Sequence, residues 1–347
     1  MDSDTQPYTQ IDARPLLAIT QGDPAGVGPE IIIKTLQSPA IFARCRPLVI
    51  GDARILTRAA AWLGLPPPIY EIVETPAEGC YAPGAITLIE QNNADPDVIA
   101  PGVLSAAAGD AAVESVSLAC DLALAGDVDA IVTTPLNKEA MRLAGHPYAG
   151  HTELLAERTG AERVSMLLVS DVLRVVHVST HVPLAEAIRR VTPARVEEVI
   201  NLAENACNAL GIAHPRIAVA GLNPHAGESG LFGSEDATQI RPAIVRARAR
   251  GLNVSDPLPP DTVFLRAMRG EFDIVVAMYH DQGHIPMKLL AFENGVNVSI
   301  GLPIIRTSVD HGTAFDIAGT GRANEASLVA AIEVAVKMVH AQRQPSA

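Results

Sequence analysis

Short apolar runs rich in valine and isoleucine alternate with longer helix-like stretches along nearly the whole chain. The runs at 16–20, 130–133 and 217–220 are too short to be helices, whereas the stretch 194–210 has helical length and follows a Thr192-Pro193 capping signal. Strands joined by helices pair in parallel, because a parallel pair needs a long crossover. The pattern therefore predicts an α/β fold with mostly parallel, helix-covered sheets.

The amino-acid composition agrees with helices packed on sheets. Hydrophobic residues make up 48% of the 347 residues, but aromatic residues only 3%. The core must therefore consist mainly of Ala, Val, Ile and Leu, which suits helix-on-sheet packing better than an all-β sandwich. A chain of this length has room for two domains, although no repeat or linker marks a boundary.

Charge and targeting signals argue against several classes of protein. A formal net charge of −13 disfavours nucleic acid and acidic membranes as partners. The first residues are polar and resemble no signal peptide, and no apolar run approaches the roughly 18 residues of a membrane span. The four cysteines lack CxxC spacing, which indicates reduced core thiols. We expect a cytoplasmic protein with neither a nucleic-acid nor a membrane partner.

Three histidines lie in short polar stretches, interpreted as loops, that follow strand-like runs. They are His181, His225 and His280. The carboxyl ends of parallel strands meet at one edge of a sheet, where ligands bind in open α/β folds. Three imidazoles can hold a divalent metal with open positions, and they favour Zn, Co, Ni or Mn over Mg or Ca. Of two further histidines, His177 is expected to be buried or to face away, and His284 to support the ligands from behind.

Two motifs could bind an anion or could be purely structural. The segment 22–30, GDPAGVGPE, is neither a GxGxxG fingerprint nor a Walker loop, and a tight turn is as compatible with it as a ligand loop. His151 and Thr152 enter a helix, where they could donate hydrogen bonds to a phosphate or carboxylate. An ordinary N-cap by Thr152 is the alternative.

Polar residues in the last third of the chain could hold a phosphate. Lys288, Asn297 and Arg306 supply two cations and an amide, and arginine can bind a phosphate through two parallel donors. Surface salt bridging is the alternative. Asp261 could cap a helix or act as a base. The glycine-rich segment 308–324 has the composition of a ligand loop, unless its aspartates only hold the loop together.

Taken together, these motifs resemble the 4-hydroxythreonine-4-phosphate dehydrogenase family over roughly residues 16–339. The motifs are GDPAGVGPE, AGHTE, STHVPL, LNPHAGE, PPDTVF, MYHDQGHIPMKLL and GLPIIRTSVDHGTAFDIAGTG. Two of them also resemble the wider isocitrate and isopropylmalate dehydrogenase fold, which binds NAD(P) without the usual Rossmann fingerprint. The resemblance implies two domains. Residues 1–150 plus 311–347 would carry the cofactor loop, and residues 151–310 the metal, the substrate and the dimer contact.

The resemblance also implies which residues form the site. The ligands of a divalent metal (Zn, Co, Mn or Mg), shared between the subunits of a homodimer, would be His181, His225 and His280. The contacts of a phosphorylated substrate would be His151, Thr152, Lys288, Asn297 and Arg306. The contacts of NAD or NADP would be Asp310, His311, Gly312, Thr313, Asp316 and Asn324. The candidates for the catalytic base are Asp261 and Lys138.

The implied reaction is oxidation of a secondary alcohol to a β-keto acid, which then loses CO₂ while the metal stabilises the enolate. The first candidate substrate is 4-phosphohydroxy-L-threonine, which would give 3-amino-2-oxopropyl phosphate for pyridoxal phosphate synthesis. The second is D-threonate or D-erythronate 4-phosphate, which would give dihydroxyacetone phosphate. The motifs PLNKEAM and LFGSED resemble this second branch at least as well. A cis-dihydrodiol dicarboxylate dehydrogenase and a non-catalytic binding protein are further alternatives.

Overall fold

A computed structural model of the chain describes residues 12–291 and 293–344. Its strands, in chain order, are β1 (Leu16–Thr20), β2 (Arg46–Gly51), β3 (Ile69–Ile72), β4 (Ala85–Glu90), β5 (Ala130–Thr133), β6 (Ser165–Val169), β7 (Arg174–His177), β8 (Ile217–Ala220), β9 (Val254–Leu258), β10 (Ile274–Ala277), β11 (Val296–Ile300) and β12 (Arg306–Val309). The helices are α1 (Gly28–Leu36), α2 (Pro39–Arg44), α3 (Ala53–Trp62), α4 (Ala106–Ala125), α5 (Lys138–Leu143), α6 (His151–Thr159), α7 (Leu184–Arg190), α8 (Pro193–Ala209), α9 (Arg241–Ala249), α10 (Val263–Met268), α11 (His280–Leu290) and α12 (Ala326–Arg343).

The strands form one continuous sheet in the order β3-β4-β2-β1-β5-β12-β11-β6-β7-β10-β8-β9. Neighbouring strands are parallel except around β11 and β6, where β11 runs antiparallel to both β12 and β6, and β6 antiparallel to β7. The short connection between β6 and β7 explains the last pair, since a parallel pair could not be joined so closely. The prediction of a mostly parallel α/β fold is confirmed.

The two halves of the sheet come from different parts of the chain. Strands β1 to β5 lie on one side and β6 to β11 on the other, and β12 joins them by pairing with β5 and β11. The division into two domains stays a prediction.

Helices cover both faces of the sheet with an aliphatic core. The largest core cluster joins residues of α1, α8, α9 and α12 to one face, and α4 lies over the other face beside β1 and β5. Cys45, Cys120 and Cys207 are buried free thiols, as predicted. For Cys80 the prediction of a core thiol is wrong, because this residue is exposed in the loop after β3.

The three histidine segments follow β7, β8 and β10, which are adjacent parallel strands. The prediction that they reach the same edge of the sheet is therefore confirmed. The prediction that His280 lies in a loop is wrong, because it is the first residue of α11. Among the described residues, no helix combines the length and the hydropathy needed to span a membrane.

Candidate active site

A cavity of about 900 Å³ opens above the centre of the sheet. It collects most of the residues expected to bind substrate and cofactor, although they are far apart in the sequence. The predicted site residues that line it are Lys138, His151, Thr152, His181, Asn297, Arg306, Asp310, His311 and Gly312. The chain therefore builds one shared cavity from both halves of the sheet.

Arg306, the first residue of β12, is the buried cation of this cavity. Its side chain is 2% exposed, and burial lowers the pKa of its guanidinium to about 9, so it is charged at neutral pH. Its described hydrogen bonds go to two hydroxyls: Thr133 Oγ1 accepts from Nε and Nη2, and Ser299 Oγ accepts from Nη1 at 2.9 Å. None of the ion pairs among the described residues includes Arg306. The charge of Glu153 acts on Arg306 without forming an ion pair with it, and the described hydrogen-bond partners of Arg306 are all neutral. A desolvated cation on a cavity wall with such partners has the electrostatics of an anion site.

His151 and Thr152 begin α6 beside this guanidinium. Thr152 Oγ1 lies 3.3 Å from Ser299 Oγ, and His151 Nε2 is buried without a hydrogen-bond partner. Burial, and then the charges of Arg306 and Lys138, hold the pKa of His151 well below its usual value. The imidazole is therefore neutral, and its buried nitrogen can exchange a hydrogen bond with a ligand in the cavity.

Asn297 lines the cavity, whereas Lys288 does not. Lys288 Nζ donates to the backbone oxygen of Asp310 at 2.8 Å and forms an ion pair with the Asp310 carboxylate. This contact ties a predicted substrate residue to a predicted cofactor residue. Asn297 Nδ2 lies 3.1 Å from Met166 Sδ, and its Oδ1 is buried without a partner. Asn297 therefore has an unused acceptor on the cavity wall.

The histidines after β7 and β10 come together at one side of the cavity. The ring centroids of His181 and His280 are 5.5 Å apart, and both residues line a second cavity of about 410 Å³. His284 stacks on His280 at 3.7 Å, and its Nδ1 donates to the His280 backbone oxygen at 3.1 Å. Burial, followed by Lys138 and His280, lowers the pKa of His181, which favours the neutral form that binds metals.

His225 lies in an unusual turn after β8. Residues 225–229 all have positive φ, with His225 at 52°, so they form a left-handed helical turn that only one glycine relieves. His181 also has positive φ, at 23°. Such strain in non-glycine residues persists where surrounding contacts enforce it, and it clusters at functional sites.

Two buried residues whose roles the sequence did not predict hold these segments in place. The carboxylate of Asp236 accepts from the backbone N–H groups of Leu222 and Asn223 at 2.8 and 3.1 Å. Gln282 accepts from the Met278 backbone N–H and donates to the Gly221 backbone oxygen, both at 2.7 Å, which links the end of β8 to the start of α11. No local sequence signal predicts these roles, because each depends on partners from another segment.

The histidine set fits a metal in chemistry but is incomplete within the described chain. Among residues 12–291 and 293–344, no three His, Cys, Asp or Glu side chains approach closely enough to hold an ion. His181 and His280 bring two imidazole rings to one place, whereas His225 is exposed on the neighbouring loop. This arrangement is compatible with ligands that are completed by a second chain.

The glycine-rich segment 22–30 packs against the predicted cofactor loop. All of its residues are buried, and Val27 donates from its backbone N–H to the Thr313 backbone oxygen at 3.1 Å. A Cβ on Gly26 would lie 3.0 Å from Thr313, and Glu30 accepts from the Gly319 backbone N–H at 2.6 Å. These contacts favour the structural interpretation of the segment.

The remaining predicted residues lie away from the main cavity. Asn324 Oδ1 accepts from the Ala326 backbone N–H at 2.9 Å, at the start of α12. Asp316 is exposed, as is Asp261, which does not line the cavity.

Lys138, the other candidate base, does line the cavity. Its charge also contributes to lowering the pKa of both His151 and His181.

The fold and the cavity define an α/β protein whose site pairs a buried anion pocket with a histidine cluster. Residues 43–335 match the family described as pyridoxal phosphate biosynthetic protein PdxA. The chain belongs to this family.

Named relatives cover nearly the whole chain. A D-threonate 4-phosphate dehydrogenase of Salmonella typhimurium is 52% identical, over 93% of this chain and 98% of its own. A 4-hydroxythreonine-4-phosphate dehydrogenase of Desulforapulum autotrophicum is 47% identical, over 93% of this chain and 95% of its own. The crystal structure of a 4-hydroxythreonine-4-phosphate dehydrogenase from Klebsiella pneumoniae is 48% identical with a TM-score of 0.86, over 94% of this chain and 99% of its own. The resemblance noted in the sequence is confirmed.

Proposed function

We propose that this protein is a dehydrogenase that oxidises the secondary alcohol of a 4-phosphorylated four-carbon hydroxy acid with NAD or NADP, after which CO₂ is lost. The observation that carries the proposal is Arg306, a buried cation on the cavity wall whose hydrogen bonds go to hydroxyls. A phosphate would supply the missing negative charge and accept from the guanidinium. The neutral His151 and the hydroxyl of Thr152 complete the pocket from the start of α6.

The histidines at the other side of the cavity would bind the catalytic metal. We propose His181, His225 and His280 as its ligands and Zn, Co, Mn or Mg as its identity, with imidazole favouring the first three. When bound, the ion supplies positive charge to the oxygen on the carbon that is oxidised. Between the two candidate bases we prefer Lys138, because it lines the cavity and Asp261 does not. To accept the alcohol proton it would have to be in its neutral amine form.

The proposed assembly is a homodimer that completes the metal site. Exposed apolar side chains follow each of the three histidines, which is unusual for a surface facing water. They are Leu184 and Ile188 after His181, Leu231 and Phe232 after His225, and Ile285, Leu289 and Leu290 after His280. A second copy that covers them would also bring a second set of histidines to the site. A cytoplasmic location stays a prediction.

For the substrate, we place D-threonate 4-phosphate first and 4-phosphohydroxy-L-threonine second. This reverses the order in which the sequence analysis placed the two candidates, because relatives 52%, 51% and 48% identical to the chain carry the D-threonate name. The second candidate is kept because relatives 47% and 49% identical carry the 4-hydroxythreonine name. The two substrates differ at C2, which bears a hydroxyl in the first and an ammonium in the second.

A substrate panel tests the proposal. Purified protein would be stripped of metal by chelation and reloaded separately with Zn, Co, Mn and Mg. Each form would then be assayed for nicotinamide reduction with the two phosphates, D-erythronate 4-phosphate and a cis-dihydrodiol dicarboxylate. We expect reduction with at least one four-carbon phosphate, and loss of activity after chelation. Turnover of the dicarboxylate alone, or of nothing, would contradict the proposed function.

A further inference from the structure

A row of cross-strand neighbours runs over the sheet beneath the cavity, from Arg306 to a histidine with no assigned role. Ser299 pairs with Met166 across β11 and β6, and the register of β11 with β12 places Arg306 beside Ser299. Extending the β6–β7 register by one residue pair places His177 beside Met166. Residues paired in this way point to the same face of a sheet. Arg306 and His177 therefore face the same cavity from positions three strand spacings apart, or about 14 Å.

His177 is a fully buried histidine, at 0% exposure, and neither Nδ1 nor Nε2 has a hydrogen-bond partner of good geometry among the described residues. Burial, and then His284, lower the pKa of the ring, whereas the nearby Met166 backbone raises it by less. The backbone oxygen of His177 is used, since it accepts from Ser165 Oγ at 2.9 Å. An unsatisfied polar group in the core costs stability, and a ligand that forms a hydrogen bond with the ring would offset that cost.

Ser179 repeats this feature two residues further along the chain. Its hydroxyl is buried without a partner, the residue is 4% exposed, and it lines the same cavity as His177. The two side chains lie at the end of β7 next to the segment that carries His181. Their unpaired atoms are thus available to a ligand that reaches from Arg306 toward the histidines.

The surroundings of His177 contain imidazoles and apolar groups. His284 lies 4.7 Å away and His280 6.4 Å away between ring centroids, and a Cβ on Gly283 would lie only 2.4 Å from Nε2. The carboxylates that line the cavity are Glu153, Glu162 and Asp310. Asp310 is paired with Lys288, and Glu153 and Glu162 are exposed. The charge of Glu153 acts on the pKa of Arg306 and of His181, but it is not among the causes of the pKa shift at His177.

We infer that His177 and Ser179 recognise the C2 substituent of the substrate and that they favour a hydroxyl over an ammonium. This inference rests on the proposed function, in which the phosphate binds at Arg306. A four-carbon chain anchored there would extend along this row of cross-strand neighbours toward His177. A hydroxyl can donate to one of the two groups and accept from the other, whereas a buried ammonium needs an anionic partner that His177 and Ser179 do not supply. A site built to hydrogen-bond a hydroxyl rejects analogues that cannot satisfy it.

The test compares both substrates in the metal-loaded protein. His177→Leu keeps a bulky buried side chain but removes both nitrogens, and Ser179→Ala removes only the hydroxyl. We expect His177→Leu to lower kcat/KM for D-threonate 4-phosphate by on the order of tenfold or more. The value for 4-phosphohydroxy-L-threonine should change by less than about threefold, because its ammonium does not use the ring. His177→Asn, which retains a donor and an acceptor, should recover part of the loss.

A matched control comes from the other end of the β6–β7 hairpin. Ser170 is also a buried serine, but its hydroxyl is hydrogen-bonded to the backbone of Leu173. Ser170→Ala should leave the ratio of the two kcat/KM values unchanged. Calorimetric binding of each substrate without nicotinamide should show the same change of ratio in His177→Leu.

The outcomes separate the inference from the proposed function. An unchanged ratio in His177→Leu and Ser179→Ala, with the wild type active, would overturn this inference and leave the proposed function intact. Equal losses with both substrates and no recovery in His177→Asn would do the same, since they indicate a packing role. If His177→Leu does not fold, Ser179→Ala and His177→Asn decide. A wild type that turns over neither substrate would overturn both.

Discussion

Two nitrogens of Arg306, Nε and Nη2, donate to the same hydroxyl oxygen, Thr133 Oγ1, at 3.2 and 2.7 Å. This contact joins β12 to the end of β5 and fixes the plane of the guanidinium at the cavity wall. Because Thr133 is neutral, the contact orients the charge without neutralising it. An anionic ligand that pairs with Arg306 would therefore offset the energetic cost of burying its charge.

Replacing Arg306 should therefore weaken binding of the phosphate in particular. We expect Arg306→Ala to raise KM for a 4-phosphorylated substrate by about tenfold or more, since charge-assisted hydrogen bonds contribute roughly 1.5–3 kcal/mol each. Arg306→Lys should recover only part, because lysine lacks the planar fork. Steady-state kinetics with the phosphorylated and dephosphorylated substrate would show that loss of the phosphate costs the wild type more than it costs the variant.

Arg58→Ala provides the control for that experiment. Arg58 is a half-buried arginine whose hydrogen bonds go to backbone oxygens, among them that of Pro96 at 3.0 Å. Its loss should reduce stability without a selective effect on the phosphate. Equal penalties for phosphate removal in the wild type and in Arg306→Ala would mean that Arg306 does not contact the phosphate.

Metal binding should depend on each of the three histidines. We expect His181→Ala, His225→Ala and His280→Ala each to lose most bound metal and nearly all turnover, while circular dichroism shows a retained fold. The aliphatic core is large, so folding should not depend on one ion. His146→Ala is the control, because His146 lies outside this cluster and pairs with Asp110. Stoichiometric metal in all three variants, measured by elemental analysis, would rule out the assignment.

The proposed dimer can be tested without touching a metal ligand. Leu289 on α11 is 82% exposed, so Leu289→Glu should leave the subunit folded but place a charge in the contact with a second copy. We expect a monomer in sedimentation experiments, with activity lost. Ile69→Glu is the matched control, since Ile69 is 71% exposed on β3 at the edge of the sheet and far along it from the histidine strands. A fully active monomer would contradict a shared site.

The strands that the sequence predicts best are those buried on both faces. The bounds of β1, β5 and β8 agree with the short apolar runs that predicted them, because such runs have no solvent-facing side to interrupt them. Strand β9 was missed because it contains Asp256 and Pro257, which are uncommon in strands. The helix start at His280 was missed because its N-cap, Tyr279, makes no capping hydrogen bond and Pro286 lies inside the helix.

The sequence predicted which residues belong to the site, but not how their side chains are arranged or which partners hold them. Motifs placed His151, Asn297 and Arg306 at the site, and they do line one cavity. The hydroxyl partner of Arg306 could not be anticipated, since Thr133 lies 173 residues away in the sequence. The left-handed turn at His225 was equally hidden, because its preceding residues are held by Asp236, a carboxylate whose role depends on the tertiary fold.

The stability of the protein should carry a pH dependence that arises from Asp23 in the buried segment 22–30. Its Oδ1 accepts from the Ala25 backbone N–H at 2.8 Å, its Oδ2 has no partner, and burial raises the pKa of the carboxyl from 3.8 to about 6. A raised carboxyl pKa means that the folded protein holds the proton more tightly than the unfolded chain. Its contribution to stability is full below pH 3.8 and is lost as the pH rises through about 6.

Asp23→Asn removes this titration while keeping the shape of the side chain. The free energy of unfolding of the variant relative to the wild type should therefore increase with pH, by up to about 3 kcal/mol over the whole window. Urea denaturation of both proteins at several pH values across that window would measure the difference. Arg54 keeps Asp52, another carboxylate of the buried region, at a lowered pKa, so Asp52→Asn should show no such rise. A difference between Asp23→Asn and the wild type that is independent of pH would show that Asp23 stays ionised in the folded protein.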